Sequence, residues 1–373
     1  MKDNAQNALP GKGMARLLIV QPIVPSYRID FFAKLSTALD QKLTVFAGKG
    51  GLPGMAEVEG FPWLHYVGSV RPILFGIDWQ SDVLGIELHS DDVLIVCGAP
   101  RSISTILLLI RARVLGVRTI WWGHYWSATT KTWRLELRKF LFHLADGLLF
   151  YTDLETNEFR LGALRNSWKA ISGLNNGIRN EETSSLRIEY TPHLRKRSIF
   201  FIGRIIEKAQ IDILFRALGQ DTLKSVCIDI IGSGPEKEQL QRLAGDLGIS
   251  SRVRWHGALT DELAISRIAN QCKLFCYPGE VGLSLIHAMN YGLPAVLHDD
   301  RYKQMPEYSA FLESNAGWCF ARNNTSSLAD VLAERLNDHD GLVEASHRAI
   351  STVTHSYNTS DMVFRTLKLL DSI

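Results

Sequence analysis

The sequence predicts an α/β protein with two doubly wound, Rossmann-like domains, and three observations support this fold class. Short runs of β-branched and aromatic residues alternate with amphipathic helical stretches, most of these runs are apolar throughout, and the same plan occurs twice in 373 residues. Strands that are apolar on both faces belong to parallel sheets covered by crossover helices. A chain of this length has room for about two domains of ~150 residues each.

The first half of the chain is predicted to form strands joined by helices. The strands lie at 16–21, 43–47, 92–98, 117–123 and 147–152, and the helices lie at 28–39, 102–116 and 131–145. Because strand and helix alternate, the strands are expected to run parallel within one sheet. This half is assigned to a domain over 14–190.

The second half repeats the plan. Its strands are predicted at 198–203, 225–232, 252–257, 273–278, 294–299 and 317–320, and its helices at 209–219, 236–248, 261–271, 281–292 and 325–338. The polar stretch at 180–196 is the predicted boundary, which gives a second domain over 196–355. Apolar residues recur at helical spacing in the last segment, 356–373, and this helix could cross back to the first domain.

Composition and charge argue against several classes of protein. A net charge of +2 carries no strong nucleic-acid signature. The five cysteines include no CxxC pair, so we expect free thiols in a reducing compartment rather than a zinc site or a disulfide framework. The N-terminus is polar, and no apolar run approaches the ~20 residues that span a bilayer. We therefore expect a cytoplasmic protein, soluble or peripheral on the membrane.

The stretch YPGEVGLSLIHAMNYGLPAV, at 277–296, is the first candidate site. It is predicted to contain a strand end, a turn with Gly279 and Gly282, a helix, and the start of the next strand. Small residues before a helix let a ligand approach the backbone. The helix N-terminus, with the N–H groups near Leu283 and Ser284, favours a diphosphate.

Two polar side chains accompany this turn. Glu280 would repel a phosphate, so it is better suited to accept hydrogen bonds from the hydroxyls of a sugar. His287 lies about one helical turn further on, where it could reach a ribose or pack between helix and sheet. A helix start with a glutamate near its positive end and a packed histidine would explain the same residues without a ligand.

A second candidate segment, FFIGRIIEK, follows the first strand of the second domain. Gly203 and Arg204 stand at the strand end, and Lys208 follows four residues after Arg204. Ligands of doubly wound sheets bind outside the carboxyl ends of the strands, so these cations could neutralise a diphosphate leaving group. Gly257, at the end of a neighbouring predicted strand, is assigned to the same site. A solvated charged loop is the alternative.

Three segments together resemble the donor-binding domain of retaining nucleotide-sugar glycosyltransferases with the GT-B fold, the family 4 group. The segments are FIGRIIEK, IDIIGSGPEKEQLQRLAGDLGISSRVRWHGAL and YPGEVGLSLIHAMNYGLPAV. The resemblance implies two Rossmann-like domains facing a cleft, with a nucleotide diphosphate sugar as donor. It also implies transfer to a glycan acceptor with retention of configuration. Arg204, Lys208 and Glu280 would then be catalytic.

The first half resembles the acceptor domain of this family less closely. The segment QPIVPSYRIDFFAKL is similar to the one that meets the acceptor, which assigns Pro25, Tyr27 and Arg28 to acceptor binding. WWGH, which ends at His124, is similar to the strand that carries an active-site histidine. The resemblance therefore implies that His124 is catalytic and contacts the donor sugar or the leaving phosphate.

The sequence departs from the family pattern in three places. The family has two glutamates eight positions apart, where this chain has Gly279, with Glu280 one residue late, and His287. The family lysine stands five residues after the arginine, where this chain has Ala209, with Lys208 one residue early. A local shift in the two loops could restore the lysine and the first glutamate, but not the exchange of glutamate for histidine.

Expectations about metals and membranes follow from other segments. The aspartate pairs in SDD (90–92) and HDD (298–300) do not stand in a metal-binding context, so we expect no required metal. The helix around TWRLELRKFLFHL (132–144) joins cations to aromatic residues, and its apolar stripe can be core or can lie on an anionic membrane. On a membrane, the acceptor would be a lipid-linked glycan at the cytoplasmic face.

Other functions stay open. A nucleotide-sugar epimerase of the same fold would turn over donor without an acceptor. A protein that binds a nucleotide sugar or a partner without turnover would account for Gly279 and His287. A nicotinamide dehydrogenase is poorly supported, because no GxGxxG follows the first strand.

Overall fold

The computed structural model describes residues 14–49, 58–73, 76–125, 132–162 and 170–373. The chain forms two compact units. The first contains the described residues up to Asn175 together with Thr359–Ile373, and the second is Asn176–Asn358.

The first unit is built from short strands and the helices that connect them. Its described strands are β1 (Leu17–Gln21), β2 (Leu43–Gly48), β3 (Leu64–Val67), β4 (Val70–Pro72), β5 (Asp78–Gln80), β6 (Val93–Cys97), β7 (Arg118–Trp122), β8 (Gly147–Phe150) and β9 (Ala170–Gly173). The helices that lie between them are α1 (Ile29–Ala38), α2 (Ile103–Val114), α3 (Thr132–Phe142) and α4 (Asp153–Leu161).

A parallel sheet forms the centre of the first unit. Its strand order is β3-β2-β1-β6-β7-β8-β9, and β4 and β5 form a separate antiparallel pair. The chain winds outward in both directions from β1 and β6, which is the doubly wound arrangement expected from the sequence. The carboxyl ends of these two strands are the point where such sheets bind ligands.

Alternating side chains of this sheet enter two separate cores. Leu17 and Ile19 face a core that includes side chains of α1 and of the C-terminal segment. Leu18 and Val20 face the other core, to which α2, α3 and α4 contribute. Because successive side chains of a strand point to opposite faces, both faces of the sheet are buried.

The second unit follows the same plan. Its strands are β10 (Ser198–Ile202), β11 (Cys227–Ile231), β12 (Val253–Gly257), β13 (Leu274–Tyr277), β14 (Ala295–His298) and β15 (Gly317–Phe320). Its helices are α5 (Glu181–Leu186), α6 (Ile211–Leu218), α7 (Lys237–Asp246), α8 (Glu262–Ala269), α9 (Leu283–Asn290), α10 (Tyr308–Ser314), α11 (Thr325–Arg335) and α12 (His339–His355).

The six strands of the second unit also form a parallel sheet. The order is β12-β11-β10-β13-β14-β15. The reversal of strand order falls between β10 and β13, so the loops after these two strands emerge side by side. Those loops carry the two segments that the sequence singled out as a candidate site.

The division of the chain differs from the predicted boundary. The polar stretch at 180–196 contains α5, which packs against α8 within the second unit. The second unit therefore begins at Asn176, because residues after that point already contact its helices. The last helix, α13 (Thr359–Leu370), packs against α1 and belongs to the first unit.

None of the helices in the described ranges combines the length and the apolar character that crossing a bilayer requires.

Candidate active site

The two segments chosen from the sequence meet at the carboxyl edge of the second sheet. Gly203 follows β10 with φ +152°, and a Cβ at this position would lie 3.0 Å from Oγ of Ser284, in the first turn of α9. Only glycine adopts this backbone conformation readily while leaving room for the serine. The close approach places the loop after β10 directly beside the N-terminus of α9.

Arg204 is exposed at this edge. No hydrogen bond or ion pair of its guanidinium is found within the described part of the chain. Its positive charge is felt by the nearby Tyr277. Burial raises the pKa of Tyr277 to about 12, and the charge of Arg204 acts against this rise. Arg204 therefore provides a cation that can meet an anion from solvent.

Lys208 and Glu280 form an ion pair in which Nζ lies 3.0 Å from Oε2. The main chain supports the same contact, since the N–H of Glu280 donates to the carbonyl of Lys208 at 3.0 Å. A Cβ at Gly279 would lie 1.9 Å from that carbonyl oxygen, so residue 279 has to be glycine for the two loops to meet. Lys208 and Glu280 therefore lie side by side where the two loops meet.

In the described part of the chain, the first main-chain N–H groups of α9 have no hydrogen-bond partner. Its N-cap residue is Gly282, and no side chain caps the helix. The preceding N–H, of Val281, is taken by Oε1 of Gln304 at 2.8 Å. The N–H groups of Leu283 and Ser284 stand in the first turn, at the positive end of the helix dipole, where an anion is favoured.

His287 has a protein partner in this structure. Its Nε2 lies 2.6 Å from Oε1 of Glu262 on α8, and Oη of Tyr291 donates to the same oxygen at 2.5 Å. Burial would raise the pKa of Glu262, but the hydrogen bond and the charge of His287, together with the hydrogen bond from Tyr291, lower it overall. The pair links α8 to α9, so donor binding by His287 stays a prediction.

Gly257 ends β12 at the same edge, two strands away from Gly203. Its carbonyl accepts the N–H of Gly232 at 2.7 Å, and the N–H of Gly203 donates to Ile231 in turn. The space where a Cβ of Gly257 would lie is open. The ends of β10, β11 and β12 therefore form one glycine-lined edge.

Glu307 was not predicted from the sequence. It is buried, its Oε1 accepts a hydrogen bond of 2.5 Å from Nδ2 of Asn176, and its Oε2 would lie 3.6 Å from a Cβ on Gly282. This carboxylate thus stands behind the start of α9. It comes from the long connection after β14, where no strand or helix pattern identifies a functional position.

In the first unit, His124 follows β7 and is held by Glu155. Its Nδ1 lies 3.1 Å from Oε1 of Glu155, and its ring stacks on Tyr151 at 4.2 Å between centroids. Glu155 is buried and also accepts the N–H groups of Tyr125 and Tyr151. A carboxylate can only accept, so Nδ1 donates to it, and Nε2 has no hydrogen-bond partner among the described residues.

The residues predicted to meet the acceptor lie near the same tyrosine. Pro25 precedes a short 3-10 turn, and the N–H of Arg28 donates to its carbonyl at 2.9 Å. The guanidinium of buried Arg28 lies 4.4 Å from the ring of Trp122, with Tyr27 and Tyr151 within 6 Å of it. Tyr151 therefore joins Arg28 to His124 in one cluster.

Thr152 and Glu155 match the sequence pattern of a capping box at the start of α4. This pattern is a signal in the sequence that could have drawn attention to Glu155.

The aspartate pairs are engaged in protein contacts. Asp92 forms an ion pair with Arg16 at 2.7 Å, and Asp300 lies 3.5 Å from Arg322. Over the described ranges, no three His, Cys, Asp or Glu side chains converge as metal ligands would. The two sites are thus defined by cations, glycines and a histidine.

Comparison with known proteins gives relatives of low identity. A poly(ribitol-phosphate) alpha-N-acetylglucosaminyltransferase of Staphylococcus aureus (strain COL) is 25% identical over 46% of this chain and 34% of its own length. An uncharacterized glycosyltransferase of Haemophilus influenzae is 24% identical over 75% of this chain and 76% of its own. The match thus spans about a third of the staphylococcal relative.

Solved structures resemble the chain over nearly its whole length. Anabaena HepE in complex with UDP gives a TM-score of 0.66 at 13% identity, and the match covers 96% of this chain and 100% of HepE. This likeness identifies the architecture as the GT-B fold of glycosyltransferases, as the sequence predicted. Residues 185–353 match the family described as glycosyl transferases group 1. The second unit therefore carries a domain of that group.

Proposed function

We propose that this protein is a retaining glycosyltransferase that moves a sugar from a nucleotide diphosphate sugar to a hydroxyl of a glycan. One observation carries the proposal: Arg204, Lys208 and the open N-terminus of α9 lie together at the carboxyl edge of the second sheet. In this chemistry the bond between the sugar and the diphosphate breaks, and the diphosphate leaves as an anion. Cations and main-chain N–H groups fixed at one edge suit that charge.

Glu280 has a separate role in the proposal. Its carboxylate is one-third exposed and lies beside Lys208, so it can accept hydrogen bonds from hydroxyls of the donor sugar. Binding of the donor would exchange the ion pair for two ligand contacts, with Lys208 on phosphate and Glu280 on sugar. The pair holds both side chains near those positions before the donor arrives.

His124 is assigned to the transferred sugar or the leaving phosphate, and Pro25, Tyr27 and Arg28 are assigned to the acceptor. Glu155 supports the assignment of His124, because it fixes the ring and leaves Nε2 available. Glu155 acts through His124 and is therefore a positioning residue. The proposal takes no metal ion, since the cations and helix N–H groups supply the positive charge.

Nucleotide binding tests the donor site first. UDP, GDP and their sugars are added separately to the full chain, and the melting temperature is measured. A ligand that binds only the native state raises the melting temperature. We expect UDP or a UDP-sugar to do so, since HepE, which shares the fold, has been crystallised with UDP and with UDP-glucose. No shift with any of these nucleotides would contradict the proposal.

Arg204→Ala tests the role of the free cation. We expect the release of nucleotide from the bound sugar donor to fall about 10²-fold, the effect typical of removing one preorganised donor of charge stabilisation, with the melting temperature unchanged. Arg216→Ala, an exposed arginine of α6 in the same unit, is the control and should keep wild-type turnover. Both are assayed with EDTA present. Wild-type turnover in Arg204→Ala, or a requirement for added Mg²⁺ or Mn²⁺, would count against this mechanism.

A second candidate is a nucleotide-sugar-binding protein without turnover. Gly279 and His287, which replace the two glutamates of the family pattern, favour it, and the partner of His287 is Glu262. Such a protein would show the same melting shift with a nucleotide sugar. It would release no nucleotide with any glycan acceptor, which separates the two candidates.

A further inference from the structure

Two helices of the first unit expose apolar side chains on their outer faces. On α2, Leu107, Ile110 and Val114 are 41%, 44% and 81% exposed, and on α3, Leu137 and Phe140 are 41% and 68% exposed. We call these five side chains the α2–α3 face. Single exposed apolar residues are ordinary, whereas a helical row at positions 107, 110 and 114 beside a second helix with the same character marks an interaction surface.

The two helices lie on the same side of the sheet. Leu108 and Leu109 of α2 and Leu141 and Phe142 of α3 enter one common core. At the C-terminal end of both helices, Nη1 of Arg113 donates to the carbonyl of His143 at 3.2 Å. Because their inner residues share a core, their outer residues face solvent on the same side.

The charge of this region is strongly one-sided. Residues 101–145 contain eight Lys and Arg and a single acidic residue, Glu136, although the whole chain carries only +2. Arg113 is exposed beside the α2–α3 face, and Lys139, next to Phe140 on α3, forms an ion pair with Glu136 at 2.7 Å. A partner for this surface should therefore be both apolar and negatively charged, and the surface of an anionic bilayer has both properties.

We propose that the α2–α3 face binds the surface of an anionic lipid bilayer. The apolar side chains enter the boundary between headgroups and acyl chains, and the surrounding cations contact lipid phosphates. Both helices then lie along the membrane plane, and neither crosses it. The inference rests on the proposed function in one respect: membrane binding would bring the proposed enzyme to lipid-linked glycan acceptors. Binding itself is independent of turnover.

Vesicle sedimentation with the full chain tests this inference. One set of vesicles contains phosphatidylcholine alone, and the other contains phosphatidylcholine mixed with phosphatidylglycerol. We expect the protein to sediment with the anionic vesicles and to stay in the supernatant with the neutral ones. Higher salt should weaken binding, because it screens the attraction between cations and headgroups.

A matched pair of variants locates the surface. Phe140→Ser should weaken vesicle binding roughly tenfold, as expected when one largely buried apolar side chain is lost from the contact. Phe364→Ser is the control. Phe364 is 62% exposed on α13, whose buried side chains enter the core on the opposite face of the sheet. The Phe364→Ser variant should bind vesicles like the wild type.

Three results of the vesicle assay would overturn the inference. These are an absence of binding to anionic vesicles, equal binding to neutral ones, and equal losses in Phe140→Ser and Phe364→Ser. A dimer in sedimentation velocity that Phe140→Ser dissociates would also overturn it, since a second copy would then occupy the face. Melting shifts with UDP, measured on the same samples, keep the two proposals apart. A protein that binds UDP but not vesicles would refute this inference alone, and one that binds vesicles but no nucleotide would refute the proposed function.

Discussion

Lys208 and Glu280 each stand one residue away from the position that the family pattern gives them. Their side chains form an ion pair with each other. The tight approach of their loops depends on Gly279, where any side chain would collide with the carbonyl of Lys208. The loops thus retain a cation and a carboxylate at the sheet edge despite the altered spacing.

Replacing Lys208 tests whether this cation serves the ligand. Lys208→Met should weaken binding of UDP and lower nucleotide release by about 10²-fold. Stability should change little, because the lysine is 70% exposed and exposed ion pairs contribute about 0–1 kcal/mol. Lys224→Met removes an equally exposed lysine from its 2.9 Å pair with Asp221 and should leave UDP binding intact. Calorimetric titration with UDP checks both variants, and equal effects in the two would contradict the assignment.

The residues of the site differ in how far the sequence reveals them. Arg204, Lys208 and Glu280 could be chosen because each stands beside a glycine or a strand end in a recognisable segment. Glu307 could not, since it reaches the start of α9 from a loop more than twenty residues later in the chain. Its position is set by contacts with Asn176, distant in sequence, and such contacts leave no local pattern.

At the level of elements, strands inside the sheets were predicted and several edge elements were not. In the first sheet, β3 and β9 are the two edge strands, and both were missed. The exposed positions of β3 interrupt its apolar pattern, because an edge strand is covered less than a central one. α5 lies in the segment that the sequence predicts as the domain boundary, because EETSSL has no apolar stripe that would indicate a helix.

Three neighbouring strands of the second sheet share one buried carboxylate. Asp229 of β11 accepts hydrogen bonds from Ser198 of β10 and from Arg254 and His256 of β12. The thiol of Cys272 also approaches it, at 3.5 Å. Burial would raise the pKa of Asp229, but the hydrogen bonds from Arg254, Ser198 and His256 and the charge of Arg254 lower it to about 2. The charged form is therefore favoured in the folded protein.

The lowered pKa of Asp229 predicts how the stability of the second unit depends on pH. Relative to an ordinary aspartate, the charged form contributes about 2 kcal/mol to the free energy of unfolding. This contribution is fully present above about pH 4 and is lost as the pH falls towards 2. Between about pH 6 and about pH 3, the free energy of unfolding of Asp229→Asn should therefore fall less than that of the wild type. Urea unfolding at each pH measures both. Asp221→Asn, at an exposed carboxylate, should behave like the wild type.

At the scale of the whole molecule, the two-domain plan was predictable because each half repeats strand and helix. The boundary between the two units was not predictable, because polarity alone does not distinguish a linker from a solvent-facing helix. The path of the chain end was only partly apparent: α13 follows the second unit in sequence yet buries Met362, Leu369 and Leu370 in a core of the first. Its Arg365 also forms ion pairs with Asp153 and Asp361.

Separate cores predict that the effects of core mutations are also separate. Leu369 is 2% exposed in a core of the first unit, and Leu332 is fully buried in the core of the second. Replacing either by alanine should cost its own unit about 2–5 kcal/mol. Calorimetry should show that Leu369→Ala lowers the melting temperature of one transition and Leu332→Ala that of another. UDP should raise the melting temperature only of the transition that Leu332→Ala lowers, because the proposed nucleotide site lies in the second unit. If UDP instead raised the transition that Leu369→Ala lowers, the nucleotide site would have to be moved to the first unit.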